Sequence, residues 1–335
     1  MRAIRVEKPG GLDRLKLVEM EDPGEPGPGE VRVRVRASSL NFHDYGVVSG
    51  TMETEDGRIP MADGAGEVEA IGEGVTEFAP GDRVVSHFFP GWIDGPARVA
   101  DFKTTPGDGV NGYARDLIVR PATWFTRAPK GWSHEEAATI TTAGLTAWRA
   151  LVADGGLKAG DDVLVLGTGG VSIYALQIAR AMGARVFATS SSDEKLARLT
   201  DMGAAGVVNY KDDPDWGRTI WDMTGGRGVD HVVEVGGPAT LPNSIRAAAI
   251  GGHLHLIGVL TGIGGEIPTV NLMRKQQRLQ GLIVGSRVHQ IDMVRGMETT
   301  GLRPVLDRSF GLDEIADAFR HEESGKHFGK ITLSY

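Results

Sequence analysis

The stretch VLVLGTGGVSIYALQIARAMGARVFATSSSDEKL, from Val163 to Leu196, decides the fold. An apolar run of strand length leads into a glycine turn, Gly167-Thr168-Gly169-Gly170-Val171-Ser172. A helical pattern follows, then a second apolar run, RVFAT, and a row of serines. Strand, turn, helix and strand in that order make a βαβ unit whose helix opens at the glycines. Such a turn gathers free N–H groups and the positive end of the helix dipole, which suits the pyrophosphate of a dinucleotide. Gly167 supplies the tight turn, and Gly169 lets the backbone approach the phosphates. Gly170 and Val171 open the helix, and Gly183 is placed to end it. Two customary residues are missing. Ser172 stands where a third glycine would pack helix on strand, so the helix is expected slightly farther out. Ser190 stands where an acidic residue would bind the ribose 2′-hydroxyl.

That second departure bears on the cofactor. A carboxylate would repel a 2′-phosphate, whereas the hydroxyls of Ser190 and Ser191 can donate to one. Lys195, one helical turn on, can pair with it. Ser191 and Glu194 are spaced as a capping box, which makes Asp193 a first-turn residue of the next helix. The segment therefore reads as a site for NADP rather than NAD.

Strand candidates continue outward: 163–167, 185–189, 206–210, 231–235, 253–259 and 281–285. Helical patterns lie between most of them. Near-continuous apolar strands alternating with helices predict a parallel, six-stranded, doubly wound sheet covered on both faces. Before about residue 144 the chain reads as β-rich. VRVRVRASS (31–39) alternates strictly, and Arg32, Arg34 and Arg36 fall on its outer face. The last ~50 residues end in GKITLSY, another strand-like run, and are expected to return to the first domain. The chain is thus read as α/β, with a β-rich domain of residues 1–143 completed by 286–335, and a dinucleotide-binding domain of 144–285.

Composition narrows the function. Of 335 residues, 48 are glycine and 41% are hydrophobic, a balance of tight turns and core rather than disorder. The net charge of −8 argues against a nucleic-acid partner, which needs clustered Lys and Arg. There is no cysteine, hence no disulfide, thiolate metal ligand or thiol nucleophile. The start, MRAIRVEKPGG, has no apolar signal core, and no stretch approaches ~20 apolar residues. A cytoplasmic protein with a small-molecule substrate and no membrane partner is expected. The histidines show no His-x-x-x-His pairing, so no histidine-based zinc site is expected.

The chain resembles the medium-chain dehydrogenase/reductase superfamily over nearly its whole length. The resemblance rests on SSLNFHDYGVVSG (38–50), PMADGAGEVEAIGEGVTEFAPGDRVV (60–85), TTAGLTAWRAL (141–151), VVEVGG (232–237), LIGVL (256–260) and FGKITL (328–333), in the family's order around the glycine turn. It is most similar to the zinc-free branch, which includes quinone oxidoreductases and alcohol dehydrogenase-like reductases. The resemblance implies a GroES-like catalytic domain built from both chain ends, a Rossmann domain between them, an active site in the cleft, and a homodimer formed through the Rossmann sheet edge. It places Thr146, Ile257 and Gly258 near the nicotinamide, and Val284, Gly285 and Ser286 over the cofactor. It places Tyr210 near the 2′-phosphate, and Lys330 where a basic residue can reach cofactor phosphates. Zinc members carry cysteine where Asn41 stands and a His-Glu pair where Ala62 and Asp63 stand; the four-cysteine lobe is replaced by residues 87–113. No metal is expected. The replacement segment is either a wall of the substrate pocket or a packed surface loop.

By the same resemblance, Asn41-Phe42-His43-Asp44-Tyr45 lines the active site. Asn41 is placed to anchor a carboxamide or carbonyl, His43 to relay a proton, and Tyr45 to donate or to wall the pocket. If the stretch is extended, Asp44 faces away from His43 and does not orient it. Without a metal, the charge left by hydride transfer needs a hydrogen-bond donor or proton source. That requirement favours an activated acceptor, a small apolar enone or quinone. Two alternatives stay open: a metal-free alcohol dehydrogenase or ketone reductase, and a non-catalytic NADPH-binding protein.

Overall fold

A computed structural model of the chain describes residues 1–99 and 101–335. They form two compact units, Met1–Leu145 with Val284–Tyr335, and Thr146–Ile283. The joints fall at 145/146 and 283/284, against 143/144 and 285/286 in the sequence reading.

The first unit opens with an antiparallel pair, β1 (Arg2–Val6) and β2 (Leu15–Glu19). The alternating stretch forms β3 (Glu30–Ser39), with Val31, Val33, Val35 and Ala37 buried. Its outer arginines are paired rather than merely solvated: Arg32 and Arg34 share Glu69, and Arg32 also reaches Asp22. Next comes α1 (Phe42–Ser49), so the stretch around His43 is helical and the condition of an extended segment does not hold. Asn41 caps it, Asp44 completes the capping box, and Gly50 at φ 81° closes it in the left-handed region. β4 (Ala65–Ile71), β5 (Arg83–Ser86), β6 (Leu117–Pro121) and β7 (Phe125–Arg127) then build the sheet. The short helices α2 (His134–Ala138) and α3 (Leu145–Trp148) follow in the chain, separated by a π-helical turn at Ile140–Gly144.

The second unit holds β8 (Asp162–Leu166), α4 (Gly170–Ala181), β9 (Arg185–Ser190), α5 (Asp193–Asp201), β10 (Gly206–Asn209), α6 (Trp216–Met223), β11 (Val229–Glu234), α7 (Leu241–Ala247), β12 (Ala248–Leu256), α8 (Thr269–Arg274) and β13 (Arg278–Gly281). Its sheet has the order β10-β9-β8-β11-β12-β13, all parallel. Order reverses between β8 and β11, so the glycine turn and the turn after β11 flank the switch point where such sheets bind ligands. The sixth strand is Arg278–Gly281, not 281–285. β12 ends at Leu256, whose carbonyl accepts from Leu282 N–H at 3.0 Å, and Val284 turns away at φ 46°. Leu282 and Val284 are buried all the same, and an apolar run alone cannot distinguish a strand from any buried segment.

The chain then returns to the first unit with α9 (Arg287–Thr300), β14 (Leu306–Gly311), α10 (Ile315–Glu323) and β15 (Lys330–Ser334). β15 pairs antiparallel with β3, Thr332 opposite Ser39, and β14 runs parallel to β15. The sheet order is β14-β15-β3-β4-β5-β7, with β6 also on β3. Among the described residues no helix is long and apolar enough to cross a membrane.

Glu234 anchors the turn after β11. Its fully buried carboxylate accepts from the backbone N–H of Gly236 at 2.8 Å and of Gly237 at 3.0 Å, from the Thr240 hydroxyl at 2.6 Å, and from Ser244. A buried acceptor removed from four donors leaves them unpaired, at about 1–3 kcal/mol for each group not reached by water. Glu234→Ala is expected to lower the thermal midpoint by roughly 5–10 °C, with most of the loss retained in Glu234→Leu, because shape alone does not pair the donors. A calorimetric midpoint within ~1 °C of wild type would contradict this account.

Candidate active site and cofactor turn

In the second unit, β8 delivers the glycine turn to the N-terminus of α4. Gly167 adopts φ 71°, a conformation that favours glycine, and its N–H donates to Thr189 O at 2.8 Å. Gly169 is the N-cap of α4. A Cβ on Gly167 or Gly169 would project into open space, so the surface above the turn is free for a ligand's phosphates. Ser172 does more than substitute for a small residue: its buried hydroxyl donates to Leu166 O at 2.7 Å, tying α4 back to the end of β8. Gly183 ends α4 at φ 83°, as its position suggested.

Ser190 is the buried last residue of β9, and Tyr210 N–H donates to its carbonyl at 3.1 Å. The capping serine of α5 is Ser192, not Ser191, with its oxygen facing Lys195 N–H. Ser191 is thereby left as a half-buried linker between strand and cap. Asp193 is drawn aside by Asn209 Nδ2, 2.8 Å from its Oδ1. Ser190, Ser191, Lys195 and Tyr210 thus gather at the ends of β9 and β10. Ile257 and Gly258 follow β12, both N–H groups turned to Glu234 O, and a Cβ on Gly258 would lie 2.2 Å from Val235 O. Thr146 is buried within α3.

Val284, Gly285 and Ser286 belong to the first unit. There Gly285 O faces His87 Nε2 at 3.2 Å, and the Ser286 hydroxyl accepts from His289 N–H, capping α9.

The head of α1 carries a buried polar network. Asp63 is fully buried and accepts from the Ser39 hydroxyl at 2.6 Å, the Thr142 hydroxyl at 2.6 Å and Asn41 Nδ2 at 2.9 Å. Thr142 reaches it from the π-helical turn, a widening that re-aims a side chain. Asp44 accepts from Ala62 N–H at 2.8 Å and from Asn41 N–H at 3.1 Å. Lys330, at the start of β15, sends its ammonium to Leu40 O and to Asn41 Oδ1, the latter at 2.7 Å, and lies 4.0 Å from Asp63. Burial raises Asp44 and Asp63 each to about 6, despite the opposing pull of Lys330. Burial also lowers Lys330 and raises Glu322 to about 7, and Glu322 Oε2 has no hydrogen-bond partner.

This network corrects three expectations. Lys330 does not present its ammonium to a phosphate, because it is 4% exposed and spent on Leu40 and Asn41. Asn41 is not free to anchor a carbonyl or carboxamide: both ends of its amide are engaged, by Lys330 on one side and by Asp44 and Asp63 on the other. Tyr45 lies two residues from His43 on a helix, hence on another face. Its hydroxyl donates to Glu323 at 2.7 Å, and its ring stacks on Phe42.

His43 stands apart from the network. Its ring meets Phe102 at 4.7 Å and Phe88 edge-on at 5.4 Å between centres. Phe88, Phe89 and Trp92 of segment 87–113 are buried, whereas Ile93 to Arg98 are exposed; Ala100 lies outside the described residues. The buried Nε2 of His43 makes no hydrogen bond, and Asp108 Oδ2 is 3.6 Å away. Burial pushes this imidazole below its ordinary value, and Asp108 partly opposes the shift.

Comparison with known proteins places these features. Residues 27–130 match the family model for an alcohol dehydrogenase GroES-like domain, and residues 170–298 match that for a zinc-binding dehydrogenase. A zinc-type alcohol dehydrogenase-like protein of Schizosaccharomyces pombe is 39% identical, with 99% of each chain covered. The chain belongs to the medium-chain dehydrogenase/reductase superfamily. It is an NAD(P)-dependent oxidoreductase of that type, with a GroES-like and a Rossmann-like domain. A quinone oxidoreductase of Lama guanicoe is 31% identical, over 99% of this chain and 97% of that one. Among solved structures, a protein of Sinorhizobium meliloti 1021 matches with TM-score 0.94 at 39% identity, covering 100% of this chain and 98% of the other. An NAD-dependent alcohol dehydrogenase matches with TM-score 0.90 at 36% identity, both chains covered fully. A mycobacterial protein complexed with NADPH matches with TM-score 0.83 at 27% identity, again over both full chains.

The family model's zinc finds no fitting donors at the head of α1. Where zinc members carry thiolate and imidazole stand the amide of Asn41 and the methyl of Ala62, and the ammonium of Lys330 already lies among the remaining oxygens. The raised Asp63 has a stability consequence. A carboxyl whose folded value lies above its unfolded one stabilises the fold when protonated, and this is lost as pH rises from about 4 to about 6. Asp63→Asn lacks that titration. The unfolding free energy of wild type relative to Asp63→Asn is therefore expected to fall between pH 4 and pH 6 and then level off. A difference that does not change with pH would show that Asp63 titrates as an ordinary carboxylate.

Proposed function

We propose that the protein is a zinc-independent, NADPH-dependent reductase of small apolar enones, quinones or related activated carbonyls. The observation that carries this reading is His43: a mostly buried imidazole between Phe88 and Phe102, its Nε2 unpaired, with a carboxylate 3.6 Å away. When bound, the nicotinamide supplies the hydride. The turn Gly167–Ser172 and the N-terminus of α4 hold the pyrophosphate, and Ser190, Ser191, Lys195 and Tyr210 receive the 2′-phosphate. The aromatic walls exclude water and favour an apolar substrate. His43 gives a proton to the substrate atom that gains electrons, and Asp108 steadies the imidazolium. An enone or quinone delocalises its negative charge onto oxygen, so one proton donor suffices without a metal. A homodimer joined along β13, the edge strand of the parallel sheet, belongs to the same reading.

His43→Ala is expected to lower turnover by at least roughly tenfold with NADPH affinity nearly unchanged, and His43→Gln to restore little, since an amide cannot protonate. Because the imidazole lies below its ordinary value, reduction should decline as pH rises through a point below about 6.5. Asp108→Asn should move that limb to lower pH. Full turnover in folded His43→Ala would end the assignment, as would loss of turnover after chelator treatment of the wild type.

Cofactor choice is tested separately. A charge-assisted hydrogen bond contributes about 1.5–3 kcal/mol, roughly tenfold or more in affinity. Ser190→Asp should weaken NADPH by that factor and spare or strengthen NADH. Wild type binding NADH at least as tightly as NADPH would reverse the cofactor reading.

A further inference from the structure

Three histidines of the second unit take no part in the chemistry above. His231 lies on β11, and His253 and His255 lie on β12. His231 is the register partner of His253, and residues two apart on a strand share a face. All three rings therefore stand on one side of the sheet, 5%, 4% and 0% exposed. The absence of a His-x-x-x-His spacing suggested no such cluster. The pairing is instead His-x-His on one strand, completed by its neighbour.

We propose that His231, His253 and His255 bind one divalent transition-metal ion of the zinc class. Zinc–imidazole bonds of about 2.0–2.1 Å at a tetrahedral angle put two nitrogens about 3.3–3.4 Å apart. His231 Nδ1 and His255 Nε2 are 3.3 Å apart. The ligand atoms of all three lie within 4.8 Å of one another, so a shift of at most about 1.5 Å closes the triad. His231 Nε2 faces Asp161 Oδ2 at 3.4 Å. Its N–H donates there and leaves the Nδ1 lone pair turned toward His255, as a carboxylate behind a ligating histidine does. Lys158 holds Asp161 in place at 2.5 Å.

A second observation is independent of this spacing. Nδ1 of the fully buried His255 makes no hydrogen bond. Buried polar atoms are ordinarily paired, and metal ligation supplies the missing partner. Asp154 and Asp161 favour positive charge here, while Arg278 and Lys158 oppose it. Gln280, the register partner of His255, donates through Nε2 to Asp154 and keeps its amide oxygen as an acceptor. Three imidazoles without thiolate suit zinc, cobalt, nickel or copper rather than magnesium or calcium. Enclosed between two strands, the ion joins β11 to β12 and takes no part in turnover.

The test uses full-length protein stripped with a chelator and titrated with Zn2+ or Co2+ alone. One equivalent of zinc per chain is expected in equilibrium dialysis, with a rise in thermal midpoint. Cobalt should give the visible absorption of a low-coordinate nitrogen site. His255→Gln and His231→Gln should each weaken binding at least 100-fold, while His321→Gln, at a histidine of the first unit, should leave it unchanged. NADPH binding should persist in all of them, and turnover should survive removal of zinc. No saturable binding by folded wild type would overturn the proposal, and so would equal affinity in a folded His255→Gln. If that variant does not fold, the cobalt spectrum of wild type decides: a spectrum of water-ligated cobalt alone refutes the site.

Discussion

The ammonium of Lys330 holds the head of α1 together. It faces Asp63, Glu322 and Asp44 inside the first unit, where burial disfavours every one of these charges. Charges taken out of water are tolerable only when paired, and removal of one partner leaves the others uncompensated. The contacts spread from this point. Lys330 fixes Asn41, which fixes Asp63 and Asp44; Asp44 closes the capping box and ties down Ala62 N–H. His43 is the residue before Asp44, so the position of its ring between Phe88 and Phe102 descends from the same ammonium.

The parts of this structure that were legible in the sequence are local. Gly167, Gly169 and Gly183 act within a few residues of themselves, and the alternation of β3 reports one buried face directly. The head of α1 was not legible, because Asn41 and Lys330 are 289 residues apart in the chain and neither side chain shows its partner. Family resemblance gave Asn41 a free amide, but both ends of that amide are engaged by a buried ammonium and two carboxylates. The strand at 281–285 failed for another reason. Its apolar residues are buried as expected, yet burial does not require a ladder partner. The size of Ser172 is legible in the sequence, whereas the acceptor of its hydroxyl, Leu166 O, is set by the fold. The His-x-His of β12 was the available signal for the triad, since alternation alone puts both rings on one face; its third member lies on a neighbouring strand and needed the register.

His43 and the acid network illustrate one environment with two outcomes. Burial acts on both. At Asp63 it is met by three hydrogen-bond donors and a nearby cation, which yields a rigid support. At His43 it is met by aromatic rings and by one carboxylate 3.6 Å away, and Nε2 makes no hydrogen bond. The two sites thus differ in how completely their hydrogen bonds are satisfied rather than in depth.

The order of the chain also imposes an order of assembly. β15 joins the first unit by pairing with β3, Thr332 opposite Ser39, after the whole second unit has been passed. During synthesis the parallel sheet is complete once β13 has emerged, while the acids around Asp63 still lack their cation. At about 5–20 residues per second, Lys330 follows several seconds later. For that interval the nascent first unit carries an uncovered end of β3 at Ala37–Ser39 and acids without a counter-charge, so a ribosome-bound chain is the form of this protein most exposed to misassociation.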